Sequence, residues 1–185
     1  MLYRIRNRAP GSPLAERALL RTADHYRFDG QFDFAADAYA FYARHYPRSP
    51  MTPRARLWGA YCSLAQFRGI PFDATPVIDA REQLRSLAAA YPDLAKEERI
   101  DAILQRIDAV FAKKLYLTAT YYRRTNEPGA AAYTYKYLLK AYPKAAEADR
   151  ARMWLAELPV WAQNLPGPTV VGEDGLGTPE LPVIR

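Results

Sequence analysis

Apolar residues return along this chain at the spacing of a helix, not in the alternation of a strand, and they do so in blocks separated by proline. The clearest block is Ile100, Ile103, Leu104, Ile107, Val110, Phe111 and Leu115, one stripe at three- and four-residue intervals. Blocks of this kind predict helices over 13–28, 32–46, 51–68, 75–91, 95–125, 128–142 and 145–163. Past Trp161 the chain becomes Pro- and Gly-rich and loses its period, so 164–185 reads as a flexible tail. The expected fold class is all-α, an α-solenoid of about seven antiparallel helices with one long central helix. Its repeat domain would occupy 11–163, with residues 1–10 as the stub of a preceding repeat.

The blocks are copies of one another. Pro10-Gly-Ser-Pro-Leu-Ala-Glu-Arg17-Ala18 lies over Pro47-Arg-Ser-Pro-Met-Thr-Pro-Arg54-Ala55, and Ala23 lies over Ala60. A third copy opens at Pro143, with Arg150-Ala151 in the place of Arg17-Ala18 and Trp154 in that of Trp58. The stretch from Ala23 to Pro47 also lies over that from Ala119 to Pro143. Tyr26-Arg27 then meets Tyr122-Arg123, Ala35 meets Ala131, Tyr39 meets Tyr135, and Tyr46-Pro47 meets Tyr142-Pro143. Ala80, Leu84, Leu87 and Tyr91-Pro92 give the second half once more.

Paired antiparallel helices explain the pattern. Alanine at 23, 60 and 119, and at 35, 80 and 131, is small where two helices must approach closely. Tyr39 and Tyr42, Leu84 and Leu87, and Tyr135 and Leu138 fill the gap one and two turns further on. Each Tyr-Pro closes a second helix, because proline cannot continue it and disfavours helical geometry in the residue before. Ser12-Pro13 and Ser49-Pro50 are expected to supply an N-cap and the first helical residue. Glu97-Glu98 are expected to open the long helix, where they offset its positive end. The second repeat carries an insertion around Gly69-Ile-Pro-Phe-Asp-Ala-Thr-Pro76.

Composition narrows the function classes. The 185 residues carry a formal charge of +6, and Glu173, Asp174 and Glu180 leave the helical part more basic than the whole. The basic residues are scattered, with no run longer than Lys113-Lys114 or Arg123-Arg124, so a solvated surface is expected and nucleic acid is not an expected partner. Cys62, the lone cysteine, lies in an apolar run and reads as a buried structural thiol. His25 and His45 fall at unrelated positions and form no metal-spaced cluster. No Gly-rich phosphate loop, nucleophile motif or metal spacing is present, so no enzyme, cofactor or metal is expected. No stretch reaches the roughly 20 apolar residues that a spanning helix needs. The opening Met1-Leu-Tyr-Arg-Ile-Arg6 has too short an apolar core for a signal sequence.

Ala23, Tyr26, Gly30, Phe32, Ala35, Tyr39 and Pro47 follow the order of small, aromatic, Gly and Pro positions of a tetratricopeptide repeat. The longer layout narrows this further. It combines a Tyr-Pro-x-Ser-Pro joint, the Asp73-Ala-Thr-Pro76 loop, Leu115-Tyr-Leu-Thr-Ala-Thr-Tyr-Tyr-Arg-Arg124, and the run from Ala130 to Pro143. Over about residues 5–158 this resembles the BamD family, the outer-membrane assembly lipoproteins also called YfiO or ComL. The resemblance implies a periplasmic, outer-membrane-associated scaffold that helps a barrel-shaped partner fold other β-barrels. Family members begin with a lipid-modified Cys after a signal sequence. Neither is visible here, so the anchor is not carried over. The alternative is a generic tetratricopeptide adaptor module of another cell-envelope protein or complex.

In such repeats the first helices line a concave groove. The positions expected to face it, and so to bind partner proteins or extended peptides, are Arg17, Arg21, Asp24, Arg54, Trp58, Tyr61, Lys113, Tyr116, Thr120 and Arg123. Arg and Trp combine large contact area with directed polar or π contacts. An anionic or carboxylate-bearing extended peptide is the expected ligand chemistry. A second reading stays open, in which Arg17, Arg54 and Arg150 pair with nearby carboxylates and hold the repeats in register. Trp154 reads as a core anchor.

Overall fold

The computed structural model describes residues 12–70 and 72–167, so the expected stub 1–10 and the tail beyond Gly167 lie outside the described residues. Every regular element among the described residues is a helix. In chain order they are α1 (Pro13–Phe28), α2 (Phe32–His45), α3 (Thr52–Ala65), α4 (Thr75–Ala90), α5 (Pro92–Glu97), α6 (Ile100–Arg124), α7 (Pro128–Ala141), α8 (Ala148–Glu157) and α9 (Val160–Gln163). The all-α, tetratricopeptide-like class expected from the repeat is what forms. The chain divides into two compact units, Met1–Ile107 and Asp108–Arg185, and the division falls within α6.

The alternation of small and bulky positions is the packing code. Ala23, Ala35, Ala60, Ala80, Ala119 and Ala131 are all fully buried, and so are Tyr39, Tyr42, Leu84, Tyr135 and Leu138. In unit 1, Glu16 near the start of α1 meets Tyr42 near the end of α2, while Asp24 near the end of α1 meets Tyr39. The two helices are therefore antiparallel. Gly59 inside α3 extends the code: a Cβ there would lie 3.4 Å from that of Tyr39, so α2 and α3 touch almost backbone to side chain.

The turn between paired helices also repeats. Gly30 takes φ 74° and Asn126 takes φ 62°, the left-handed geometry in which glycine is best and asparagine is tolerated. In both, the next residue closes the helix by a bond five residues back, Gln31 N to Tyr26 O and Glu127 N to Tyr122 O, each 2.9 Å.

Four expectations change in detail. The long helix starts at Ile100, because Glu98-Arg99 break the expected 95–125 span, with Arg99 at φ 51°. Glu97-Glu98 therefore end α5 and do not open α6, whose first turn has Asp101 instead. The expected 145–163 helix begins at Ala148 and is interrupted by Pro159, which lacks the N–H that continuation needs. Ser12 caps α1 through Ala15 N at 3.1 Å, as expected, but α3 starts later, at Thr52, and Ser49 Oγ accepts from Met51 N at 3.2 Å ahead of the helix instead of capping it.

Ser49 is used elsewhere. Its Oγ donates to Glu16 Oε1 at 2.5 Å, and Tyr42 Oη donates to the same oxygen at 2.7 Å. Together these bonds, Ser49 first, hold the Glu16 carboxyl below its ordinary value of 4.5, while burial pushes the Tyr42 phenol up to about 12. A carboxylate whose folded pKa is lowered contributes stability above its unfolded value, and loses it as pH falls through the folded one. Glu16→Gln should therefore melt lower than the parent at neutral pH, by about 1 kcal/mol given partial solvation. The gap should begin to narrow below about pH 4.5 and vanish only once the pH has passed through the lowered folded value. Circular-dichroism melts across that range check this, and a gap independent of pH would contradict it.

Candidate functional site

The polar groups of the repeats gather where a first helix, its second helix and the next first helix meet. In unit 1 they gather around Tyr39 of α2. Its Oη donates to Asp24 Oδ1 at 2.6 Å and accepts from Arg27 Nε at 3.0 Å. Arg27 Nη2 lies 3.8 Å from the same Asp24 oxygen. The Arg27 guanidinium sits 5.3 Å from the Trp58 ring centroid, within cation–π range, and the Tyr39 and Trp58 rings are 5.7 Å apart. Burial, reinforced by the bond to Asp24, pushes the Tyr39 phenol far above its ordinary range, so it remains a donor.

Unit 2 repeats the Arg–Trp pair with different tyrosine contacts. The Arg123 guanidinium lies 3.6 Å from the Trp154 ring centroid. Trp154 Nε1 donates to Tyr116 Oη at 3.2 Å, and the Tyr116 and Tyr135 rings are 6.2 Å apart. Thr120 Oγ1 donates to the backbone carbonyl of Tyr116 at 2.8 Å and lies 3.3 Å from Tyr135 Oη. In the register that sets Ala23 over Ala119, Arg27 corresponds to Arg123, Tyr39 to Tyr135, Trp58 to Trp154 and Asp24 to Thr120. Thus an Arg–Trp stack recurs in both units, with Asp exchanged for Thr, while the tyrosine beside the tryptophan is Tyr39 in unit 1 and Tyr116, from the register position of Leu20, in unit 2.

The ten expected groove residues divide accordingly. Asp24 and Trp58 are joined through Arg27 and Tyr39, while Tyr116, Thr120 and Arg123 are joined around Trp154 and Tyr135. Arg17, Arg21 and Lys113 are exposed on their helices. Tyr61 is half-buried, and burial followed by the nearby Glu98 pushes its phenol up. Arg54 is paired with Glu97 at 3.2 Å, an exposed bridge worth little by itself. Arg17 and Arg150 hold no ion pair among the described residues, so of the three register arginines only Arg54 is paired in this way.

Arg27 and Tyr39 are the residues that position-by-position reasoning missed. The internal alignment carries the signal, since Arg27 matches Arg123 and Tyr39 matches Tyr135, although of these only Arg123 is among the expected groove positions. Trp154 packs at the edge of the unit 2 core and also stacks on Arg123.

Cys62 is buried, and burial pushes its thiol up, as suits a structural residue. His25 and His45 are both exposed: one lies 3.4 Å from Asp29, and the other stacks on Phe41. Among the described residues no cluster of His, Cys, Asp or Glu is built to hold a metal ion, and no helix is long and apolar enough to cross a membrane.

No curated protein matches the chain. A family model described as YfiO, outer membrane lipoprotein, matches residues 1–158, a span that takes in both Arg–Trp stacks. With its repeats, its long helix and most of its length so accounted for, the chain belongs to the YfiO family of outer membrane lipoproteins.

Proposed function

We propose that this protein is a binding scaffold in the assembly of outer-membrane β-barrel proteins, holding extended segments of partner proteins against the first helices of its repeats. Membership in an outer membrane lipoprotein family supports the setting. The observation that carries the binding role is the recurrence of one Arg–Trp stack in both units. A packing motif needs no arginine. Arg and Trp kept together at a half-buried surface are the residue types that concentrate binding energy, because they offer wide contact area and oriented donors. On this reading Arg17, Arg21 and Arg54 extend the charged surface in unit 1, Lys113 does so in unit 2, and Tyr116 adds an aromatic contact there.

The partner on this reading is the periplasmic part of a barrel-shaped outer-membrane assembly protein from the same cells. Its affinity for the purified chain should fall at least about tenfold in the Arg17→Ala, Arg54→Ala double variant. The far-UV circular dichroism should not change, since both side chains are exposed. Unchanged affinity would remove the first helices from the interface. If the parent chain binds no barrel-assembly domain at all, the scaffold reading fails, and the chain is instead an adaptor module of another envelope complex.

A further inference from the structure

We propose that the Arg123–Trp154 stack of unit 2 is a receptor for a carboxylate carried by a partner polypeptide, whereas its copy at Arg27–Trp58 is already filled by the chain's own Asp24. The inference rests on the scaffold reading above and gives it a ligand chemistry.

The two stacks differ in the slot beside the guanidinium and in the partner of the arginine Nε. In unit 1 the slot beside the guanidinium holds Asp24, which takes the Tyr39 hydroxyl at 2.6 Å and faces Arg27 at 3.8 Å. That copy is satisfied from within. In unit 2 the corresponding residue is Thr120, which has no charge and spends its own hydroxyl proton on the Tyr116 carbonyl. Arg123 has no ion pair among the described residues, and its Nε, whose counterpart in Arg27 donates to Tyr39 Oη, is screened from solvent and has no hydrogen-bond partner. A guanidinium cannot discharge itself by losing a proton, so a partly buried one without an anion is a standing cost that an external anion would relieve.

The surroundings prepare it to do so. Trp154 supports the flat face of the guanidinium at 3.6 Å, and the indole N–H is tied to Tyr116 Oη, so the ring is held in place. A planar cation fixed in this way keeps its remaining donors oriented, and less entropy is lost when a carboxylate docks on them. Unit 1 indicates which anion suits the slot, since there a carboxylate occupies it. Arg123 is only half-buried, so a group from outside can reach the part that remains open.

Reciprocal exchange tests the idea on the full chain. The probe is the peptide Ac-Gly-Phe-Glu-Tyr-Gly-NH2, with its Gln counterpart and a free-acid peptide lacking Glu as the other arms. Nuclear magnetic resonance would follow the Arg123 Nε–H and the Trp154 indole N–H. Binding by the Glu peptide or by the free acid supports the receptor and identifies the source of the carboxylate. The Gln peptide should bind at least about tenfold more weakly. Thr120→Asp should weaken the Glu peptide at least about tenfold without lowering the melting temperature, and Asp24→Thr should open a second site reported by the Trp58 indole N–H. Equal binding of the Glu and Gln peptides, or undiminished binding to Thr120→Asp, would overturn it. If these peptides fail while the barrel-assembly domain still binds through Arg17 and Arg54, the receptor falls and the scaffold role stands.

Discussion

Replacing Tyr39 by alanine should cost unit 1 about 3–5 kcal/mol of folding stability, the range for deleting a large, fully buried aromatic side chain. Three losses combine. The ring is wholly buried between α1, α2 and α3, so its removal leaves a cavity that Gly59, with no side chain, cannot close. The Trp58 ring loses the neighbour 5.7 Å away. Asp24 loses its shortest hydrogen bond and Arg27 its acceptor. Tyr39→Phe separates the terms: it keeps the volume and removes only the hydroxyl, so it should cost about 1–2 kcal/mol, mostly from the half-buried Asp24. The matching change in unit 2, Tyr135→Phe, should cost under about 1 kcal/mol, because that hydroxyl meets a neutral Thr120 at 3.3 Å. Denaturant unfolding of the three variants is the measurement. A Phe variant as damaged as the Ala variant would mean that the polar network, and not packing, holds unit 1 together.

The contrast shows which parts of this molecule could be read from the chain. The core was legible because its rule is short-range and periodic. Ala23 and Ala119 are small and Tyr39 and Tyr135 are large at the same steps of a helix, and helix pairing converts those steps directly into burial. The breaks were less legible. Arg99 turns left-handed between two sequences that both favour helix, so nothing local marks it. Ser49 resembles a cap because a serine precedes a proline, but Glu16, distant in sequence, takes its hydroxyl proton, and its oxygen meets Met51 N ahead of the helix. The candidate site fell between these cases. Its arginines and tryptophans stood out by type, while Asp24 and Thr120 became meaningful only once the two stacks could be laid over one another.

That overlay also suggests how a repeat array acquires function without changing its fold. The alanines and the closing Tyr-Pro pairs are kept because each is needed for helices to pair at all. A position such as 24 or 120, at the edge of the stack, tolerates either Asp or Thr, since neither alters the helix or the core. Exchange there changes charge and leaves architecture alone, and in this protein the exchange falls beside the one residue type that most needs an anion.

Ala119→Leu should destabilise unit 2 by about 3 kcal/mol, toward the upper end of what overpacking costs. Ala119 is fully buried where α6 lies against α7, in one cluster with Ala131 and Tyr135, and these three are completely covered. Three added heavy atoms have no void to enter. They can be housed only by pushing α7 away or by forcing the leucine off its rotamer. Propensity does not rescue the change, since leucine is almost as good a helix former as alanine. Ala109→Leu on the same helix is the control: Ala109 is exposed, so the same atoms meet water and the cost should stay within about 0.5 kcal/mol. Thermal and urea unfolding of the pair would read the difference. Equal stability would mean that the small positions of the repeat do not mark helix contacts, and the packing code would lose its physical basis.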